Sequence, residues 1–229
     1  METSLHRSLK KIYAGEGAAT EVRLGRYRID AVVGKQLIEV QHGSLSAISR
    51  KIQALLETHR VLVVKPIILR KVLVKQPYRG AGAGERRQSP RQGALLDLFS
   101  ELVYFTRVFP HPRLTLETPL VEVEEWRYPG HGRRRRWRRN DFEVEDQKLL
   151  SIQGCSTLKR ADDLWTLLDC VRPEQFDTAQ LAAALGIRRH FAQRIAYCLD
   201  KMGAARQVGK RGNARIYAPV ARRRRRLAA

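Results

Sequence analysis

Three polar residues in the stretch RIDAVVGKQLIEVQHG have the types and spacing of a metal-assisted hydrolytic site. Gly34-Lys35 suits a two-residue turn, which pairs position 33 with 36 and therefore sets Asp30 directly across from Glu39. Gln41 lies two residues beyond Glu39 and shares its face of the strand. Facing carboxylates destabilise a sheet unless a cation lies between them. Mg²⁺ binds carboxylate and carbonyl oxygens, and in that position it can activate a water for attack on a phosphate.

The same three residues also fit a simpler interpretation. Asp30 and Glu39 can be incidental charges on a solvated strand face, and the predicted pairing shifts if the turn is displaced by one residue. In the metal interpretation, Gln41 positions the attacking water or a phosphate oxygen. The pattern leaves both readings open.

The elements that must position these residues follow the order α-β-β-α-β. Apolar periodicity predicts a helix over residues 4–14, strands over 20–33 and 36–42, a helix from Ser44 or Ser46 to about His59, and a buried strand over 61–68. Residues 76–93, rich in Gly, Pro and Arg, indicate a linker. Residues 94–109 indicate a helix, and residues 114–128 a strand.

D-x(8)-E-x-Q on a hairpin, followed by a helix and a buried strand, resembles the PD-(D/E)XK restriction-endonuclease-like nucleases. The resemblance is to the CoiA-like branch, in which an acidic residue, His and Lys begin the first helix. It implies that Asp30 and Glu39 bind Mg²⁺ or Mn²⁺, with the Val40 carbonyl as a third ligand. Gln41 stands where the family usually has Lys. The resemblance covers about 70 residues.

Glu2, His6 and Lys10 correspond to the residues that begin the first helix in that branch. His6 and Lys10 are four apart and share a helix face. The resemblance implies that they line the catalytic site. A surface pair at the start of a helix is the alternative.

The C-terminal part predicts a helix over residues 161–171, a second over 178–185 capped by Thr178, a third over about 188–202, and two short strands around a Gly-rich basic turn. This order resembles a winged helix-turn-helix domain. Phe191, Ile195, Cys198 and Met202 lie at helical spacing and predict the buried face. The residues left to contact DNA are Arg188, Arg189, Gln193, Arg194, Tyr197, Lys201, Lys210, Arg211 and Arg215. Protein contacts or simple packing are the alternatives for such a domain.

Two arginine runs remain. Residues 133–139 read RRRRWRR, and they either clamp a nucleic-acid backbone with Trp137 stacked on a base or form an exposed strand opposite Glu122, Glu124 and Glu125. Residues 222–226 predict a basic arm that binds phosphates, or a solvated tail.

The charge indicates an anionic partner. The 229 residues carry 44 Lys+Arg against 23 Asp+Glu, a net charge of +21, and nucleic acid is the usual partner of such a chain. The three cysteines fit neither a disulfide framework nor a zinc site. No apolar run is long enough to span a membrane. We expect a cytoplasmic, nucleoid-associated protein that binds DNA and no membrane, and a homodimer is compatible with this.

These observations predict an α/β (α+β) chain. Residues 1–75 form a nuclease-like αββαβ core, 76–93 a linker or flexible loop, 94–154 a helix and β-hairpin extension, 155–220 a winged helix and 221–229 a basic tail. The predicted function is a Mg²⁺- or Mn²⁺-dependent DNA endonuclease. The alternatives are a non-catalytic DNA-binding regulator with a degenerate nuclease fold, and a module that binds RNA or a partner protein.

Overall fold

The chain folds into two units, each of which brings together three segments that are distant in the sequence. The computed structural model describes residues 2–130 and 141–220. Unit 1 comprises Met1–His42, His59–Leu95 and Glu117–Ser156, and unit 2 comprises Gly43–Thr58, Leu96–Leu116 and Thr157–Ala229. The predicted division into consecutive segments differs from this, because strands far apart in the chain pair in one sheet. The predicted mixed α/β class is confirmed.

Unit 1 contains helix α1 (Ser4–Ala14) and most of a mixed β-sheet. Within the described residues this sheet has eight strands. The strands are β1 (Ala19–Leu24), β2 (Tyr27–Val33), β3 (Gln36–Val40), β4 (Arg60–Val64), β5 (Ile67–Lys75), β6 (Arg86–Gln88), β7 (Leu114–Pro129) and β8 (Phe142–Leu158). Their spatial order is β1-β2-β3-β4-β7-β5-β6, and β8 pairs with β7.

Helix α1 forms where the periodicity predicts it. The Thr3 side chain accepts a hydrogen bond from the amide of His6 at the first turn, and Gly15, at φ 71°, ends the helix. Its apolar side is buried against one face of the sheet, in a core formed by Leu5, Leu9, Ala14, Ala31, Ile38, Val40, Leu62, Val64, Val121 and Val123.

Two glycine turns shape the strands that follow. The turn at Gly34 is confirmed, since Val33 pairs with Gln36 and Gly34 has φ 56°. The single strand predicted over 20–33 is wrong. Gly25, also at φ 56°, turns the chain so that Leu24 pairs with Tyr27, and this segment forms the β1–β2 hairpin. The N-terminal order is therefore αβββαβ and not αββαβ.

The buried strand predicted over 61–68 is divided into β4 and β5 by Lys65-Pro66, because proline has no amide for a sheet ladder. Strand β4 pairs in parallel with β3, and β5 pairs in parallel with β7. Residues 76–93 are not wholly a linker, since they contribute β6, antiparallel to β5.

Unit 2 contains the remaining helices and a two-stranded sheet. Its elements are a 3-10 turn at Leu45–Ala47, α2 (Ser49–Leu56), a 3-10 turn at Leu95–Asp97 that leads into α3 (Leu98–Leu102), a 3-10 helix at Ala161–Leu167, α4 (Thr178–Leu185), α5 (Arg189–Lys201), β9 (Ala205–Arg211) and β10 (Ala214–Pro219). Its core includes Trp165 edge-on to Phe176, which stacks on Tyr217. In the part of the chain that the structure describes, no helix is long and apolar enough to cross a membrane.

Four predictions for the helices of unit 2 change. The helix predicted from Ser44 or Ser46 to about His59 is a 3-10 turn at Leu45–Ala47, capped by the Ser44 side chain, followed by the shorter α2. The helix predicted over 94–109 is only the short α3 after a 3-10 turn, and the helix predicted over 161–171 is the 3-10 helix Ala161–Leu167. Helix α4 has the predicted bounds, but its cap is Asp177, not Thr178. The Asp177 carboxylate accepts hydrogen bonds from the amides of Ala179 and Gln180.

Candidate functional site

The β2–β3 hairpin brings the two predicted carboxylates to neighbouring positions. The observed pairs are Val33 with Gln36, Val32 with Leu37 and Ala31 with Ile38, and one further step along this register sets Asp30 opposite Glu39. The Asp30 side chain turns toward the partner strand, where Oδ2 accepts a hydrogen bond of 2.8 Å from the Val40 amide. The Glu39 side chain is buried, with 6% of the residue exposed. A solvated strand face therefore does not describe Glu39.

His6 joins this pair from helix α1. Its Nε2 lies 3.0 Å from the Val40 carbonyl oxygen and 3.3 Å from Asp30 Oδ2. Its Nδ1 lies 2.7 Å from Glu2 Oε1. The hydrogen bond to Asp30 raises the pKa of His6 to about 9, against the opposing effect of burial and with further help from Glu2. At neutral pH the ring is an imidazolium that bridges two of the three predicted metal-binding oxygens.

Lys10 lies in a second group of charges beside His6. Its Nζ is 2.8 Å from Glu2 Oε1, the oxygen that also contacts His6, and it forms an ion pair with Glu21. Hydrogen bonds from Lys10 and then from His6 lower the pKa of Glu2 to about 2. His6 and Lys10 are thus linked through one carboxylate, and neither is a bare surface cation. Glu21, on β1, was missed because its place in the group depends on tertiary structure.

Gln41 follows β3 at the point where Lys65 follows β4. The register pairs Val40 with Val64, and the Gln41 amide donates to the Val64 carbonyl oxygen over 2.8 Å. Gln41 and Lys65 each follow the last residue of this parallel pair, so their backbones are neighbours where β3 and β4 end.

Lys65 is the main residue that the sequence analysis overlooked. It is only 5% exposed, and its Nζ donates to the His42 carbonyl oxygen over 3.1 Å. Burial lowers the pKa of His42, and the charges of Lys65 and His6 lower it further. A buried ammonium is costly unless its surroundings compensate for the lost hydration. The signal was visible as the one lysine in the apolar run of residues 61–68.

The site brings together some of the ligands that a divalent cation needs. Asp30 Oδ2 and the Val40 carbonyl oxygen point to one position, the place of Nε2 of His6. Both are hard oxygen donors, as Mg²⁺ prefers. Within residues 2–130 and 141–220, no group of three His, Cys, Asp or Glu side chains is arranged to hold a metal ion. A cation at this position would need the imidazole to move aside, with Glu39 as a further carboxylate on the same hairpin.

A second candidate surface lies on unit 2, on α5 and the β9–β10 hairpin. The residues predicted to contact DNA are all exposed: Arg188, Arg189, Gln193, Arg194, Tyr197, Lys201, Lys210, Arg211 and Arg215. A groove of about 420 Å³ between α5 and β10 is lined by five of them, Arg189, Gln193, Tyr197, Lys201 and Arg215, together with Thr178, Asp200, Asn213, Ala214 and Tyr217. Helix α5 buries Ile195 and Cys198 on its other side.

Arg211 has a structural partner on this surface. Its guanidinium lies 2.7 Å from Oδ2 of Asp177, the residue that caps α4. The backbone amide at Gln180 and then Arg211 lower the pKa of Asp177. This contact ties β9 to the start of α4 and gives Arg211 a structural role on the surface.

The arginine runs at 133–139 and 222–226 lie outside the described residues, and so does Trp137. The acids proposed to face the first run have contacts of their own. Glu124 forms an ion pair with Arg86 and accepts a hydrogen bond from Trp126 Nε1, and Glu125 is bound by Lys71 and Arg127. These cations already balance the two buried carboxylates.

The chain matches the model of a protein family and is similar to a bacterial protein. Residues 3–159 match the model of a family described as "Domain of unknown function (DUF8091)". A protein of Treponema pallidum (strain Nichols), described as "Uncharacterized protein", is 27% identical over 218 residues, which cover 94% of this chain and 84% of that protein. No solved structure matches significantly. The family match ends just after β8, whereas the similarity to the Treponema protein covers most of the C-terminal part as well.

Proposed function

The chain belongs to the DUF8091 family, and we propose that it is a Mg²⁺- or Mn²⁺-dependent DNA endonuclease with a PD-(D/E)XK-type site. One observation carries the proposal. Asp30 Oδ2 and the Val40 carbonyl oxygen converge on a single position that a cationic group occupies, beside the buried Glu39. Converging oxygens and a buried carboxylate can hold the metal ion that activates a water, and neighbouring cations can bind the phosphodiester.

The donor set is compatible with a divalent cation of the Mg²⁺ type. Asp30, Glu39 and the Val40 carbonyl would hold it, and it would supply a bound water of lowered pKa together with stabilisation of charge on the phosphate. The protein's own contribution to this geometry is the hairpin. The hydrogen bond from the Val40 amide fixes the Asp30 carboxylate at the end of the β2–β3 ladder.

The cations around the carboxylates would bind and orient the substrate. His6 and Lys10 share the Glu2 carboxylate, whose oxygen lies 2.7 Å from one and 2.8 Å from the other. A phosphate oxygen offers the same kind of acceptor, so a DNA phosphate that replaces Glu2 would meet both cations. Lys65 is well placed to supply the positive charge that Gln41 lacks, since the two lie side by side after β3 and β4.

The C-terminal part of unit 2 supports a DNA substrate. The order α4, α5, β9, β10 is compatible with the predicted winged helix-turn-helix, and the exposed polar side of α5 flanks a groove that β10 also lines. Arginine and glutamine side chains on such a helix suit contacts to phosphates and base edges. In this proposal unit 2 holds duplex DNA, and the protein is cytoplasmic and nucleoid-associated.

The alternative function is a non-catalytic DNA-binding protein that keeps the same fold. The position of His6 favours it, because the imidazolium already neutralises Asp30 and contacts the Val40 carbonyl. Such a protein would bind DNA through unit 2 and have no need of a metal. The two functions therefore differ in which group occupies that position. The nuclease would hold a metal ion there, and the non-catalytic protein keeps the imidazolium of His6.

A Mn²⁺ titration followed by electron paramagnetic resonance distinguishes them. The nuclease proposal predicts that wild-type protein binds Mn²⁺ and that Asp30→Asn, which can still accept the bond from the Val40 amide, weakens this binding strongly. Glu16→Gln, in the exposed loop after α1, serves as the control and should bind like wild type. Equal Mn²⁺ binding by wild type and Asp30→Asn would contradict the metal site and favour the non-catalytic function.

A further inference from the structure

Glu21 has a backbone conformation that residues with a side chain rarely adopt. Its φ is 57°, and among the described residues it is the one non-glycine position with a positive φ. The residues on either side remain in register, since Thr20 pairs with Ala31 and Val22 with Ile29. Glu21 therefore lies opposite Asp30 in the middle of a strand. At this φ its Cβ atom comes too close to the following carbonyl oxygen, so the backbone is strained.

The Glu21 carboxylate lies among cations of the candidate site. It forms ion pairs with Lys10 and Arg28. Through Lys10 it is connected to Glu2 and His6, and His6 reaches Asp30. The result is a chain of alternating charge, whose members are Arg28, Glu21, Lys10, Glu2, His6 and Asp30.

Stability alone does not account for glutamate at this position. Glycine adopts a positive φ without strain, and the ion pair of Glu21 with Arg28, whose side chain is 69% exposed, contributes little. Strained residues of this kind collect at functional sites, where the surrounding contacts hold them in place. In this conformation the Glu21 carboxylate contacts the ammonium of Lys10. The Lys10 side chain is largely enclosed, with 12% of it exposed.

We propose that Glu21 is a positioning residue that fixes the Lys10 ammonium beside the Glu2–His6 pair. A phosphate that enters the site then meets a cation with a defined place, in addition to the imidazolium. The identity of that phosphate as part of a DNA strand rests on the proposed function. The immobilisation of Lys10 does not.

Two substitutions separate the carboxylate from the strain. Glu21→Gln removes the charge and keeps a side chain at the positive φ, whereas Glu21→Gly removes the charge and relieves the strain. Glu16→Gln is the matched control. The first readout is the rate at which a limiting amount of acetic anhydride acetylates Lys10 in the full chain, resolved by mass spectrometry, with Lys11, exposed on the same helix, as the internal standard.

The expected result is a severalfold faster acetylation of Lys10 in both Glu21 variants, with Lys11 and the Glu16→Gln protein unchanged. The urea midpoint of Glu21→Gly should be higher than that of Glu21→Gln. A Lys10 rate that stays at the wild-type value in both variants would overturn the proposal, and so would a rise at Lys10 and Lys11 alike, which would report general loosening.

The second readout is Mn²⁺-dependent DNA cleavage. Both variants should raise KM more than they lower kcat, because Lys10 would act on the bound phosphate. An unchanged KM together with faster labelling would overturn the role in substrate binding. If the wild-type protein cleaves no DNA, the proposed function fails, and the labelling still decides whether Glu21 fixes Lys10.

Discussion

Nε2 of His6 lies 3.3 Å from Oδ2 of Asp30, and the same nitrogen lies 3.0 Å from the Val40 carbonyl oxygen. Helix α1 and the β2–β3 hairpin are thus joined by the contacts of one imidazole nitrogen. The relationship makes His6 a competitor for the place of the proposed metal ion. It also couples the protonation of one side chain to the stability of unit 1.

Protonated His6 stabilises the fold. Its pKa is about 9 in the folded protein and about 6.5 when unfolded. The contribution is therefore complete below pH 6.5 and is lost as the pH rises through 9. The difference corresponds to at most about 3 kcal/mol. Urea unfolding in EDTA at pH 6 and pH 9.5 should show a fall in the free energy of unfolding for wild type and a smaller fall for His6→Gln.

The exposed His190 provides the control for this measurement. His190→Gln should keep the wild-type dependence on pH. A wild-type free energy of unfolding that falls no more than that of His6→Gln would contradict the hydrogen bond between His6 and Asp30.

Lys65→Met should change the chemistry of the site and also destabilise the fold. The substitution removes a buried ammonium together with its hydrogen bond to the His42 carbonyl oxygen, and the buried groups that faced the charge remain. We expect the pKa of His42 to rise, because one of the nearby positive charges that lower it is gone. Cleavage should fall on the order of 10²-fold, a typical loss for one group that stabilises the transition state. An NMR titration of His42 and a cleavage assay measure the two effects.

Lys35→Met, in the exposed β2–β3 turn, should change neither quantity. If Lys65→Met leaves the pKa of His42 at its wild-type value, the ammonium does not lie where the structure has it.

Asp177→Ala should destabilise unit 2. The substitution removes the cap of α4 and the contact to Arg211, and loss of a cap costs about 1–2 kcal/mol. Because the pKa of Asp177 is lowered in the folded protein, its contribution is present at neutral pH and is lost as the pH falls below about 4. Thermal unfolding should show a larger difference from wild type at pH 7 than at about pH 2, well below the ordinary pKa of aspartate. An equal difference at both values would contradict an ionised cap.

Arg189 and Arg194 test the surface on α5. If both contact phosphates, each substitution by alanine should reduce the slope of log K against log salt by about 0.9 for duplex DNA. This slope can be measured by fluorescence anisotropy of labelled duplex DNA at salt concentrations between about 50 and 200 mM. Arg91→Ala, at an exposed position of unit 1, is the control. Unchanged binding by both α5 variants would favour a module that contacts a protein or RNA.

Local chemistry made part of this fold predictable. The spacing of Leu5 and Leu9 predicts α1, and the glycine at position 34 predicts the turn that aligns Asp30 with Glu39. Gly25 is also a turn glycine, but the residues around it are rich in Val and Tyr. Their composition predicts one continuous strand where the structure has a hairpin. Short-range patterns therefore predict the hairpin and helix that form the site.

The rest depends on contacts between distant segments. Lys65 is next to Gln41 only because β3 and β4 pair in parallel, and Glu21 reaches Lys10 only in the folded unit. The position of β7 between β4 and β5 is likewise a property of the whole sheet. No local pattern carries this information, so these residues become visible only in the structure.

The metal-dependent nuclease activity is tested most directly by a DNA cleavage assay that compares wild-type protein with Asp30→Asn and Glu39→Gln. The substrates are duplex, branched and single-stranded DNA, and each is incubated with Mg²⁺, with Mn²⁺ or with EDTA. The proposed nuclease activity predicts metal-dependent cleavage of at least one DNA form by wild type, and its loss in both variants while DNA binding is retained. Wild-type protein that binds DNA yet cleaves none of these forms with either metal, or variants that cleave as well as wild type, would contradict it.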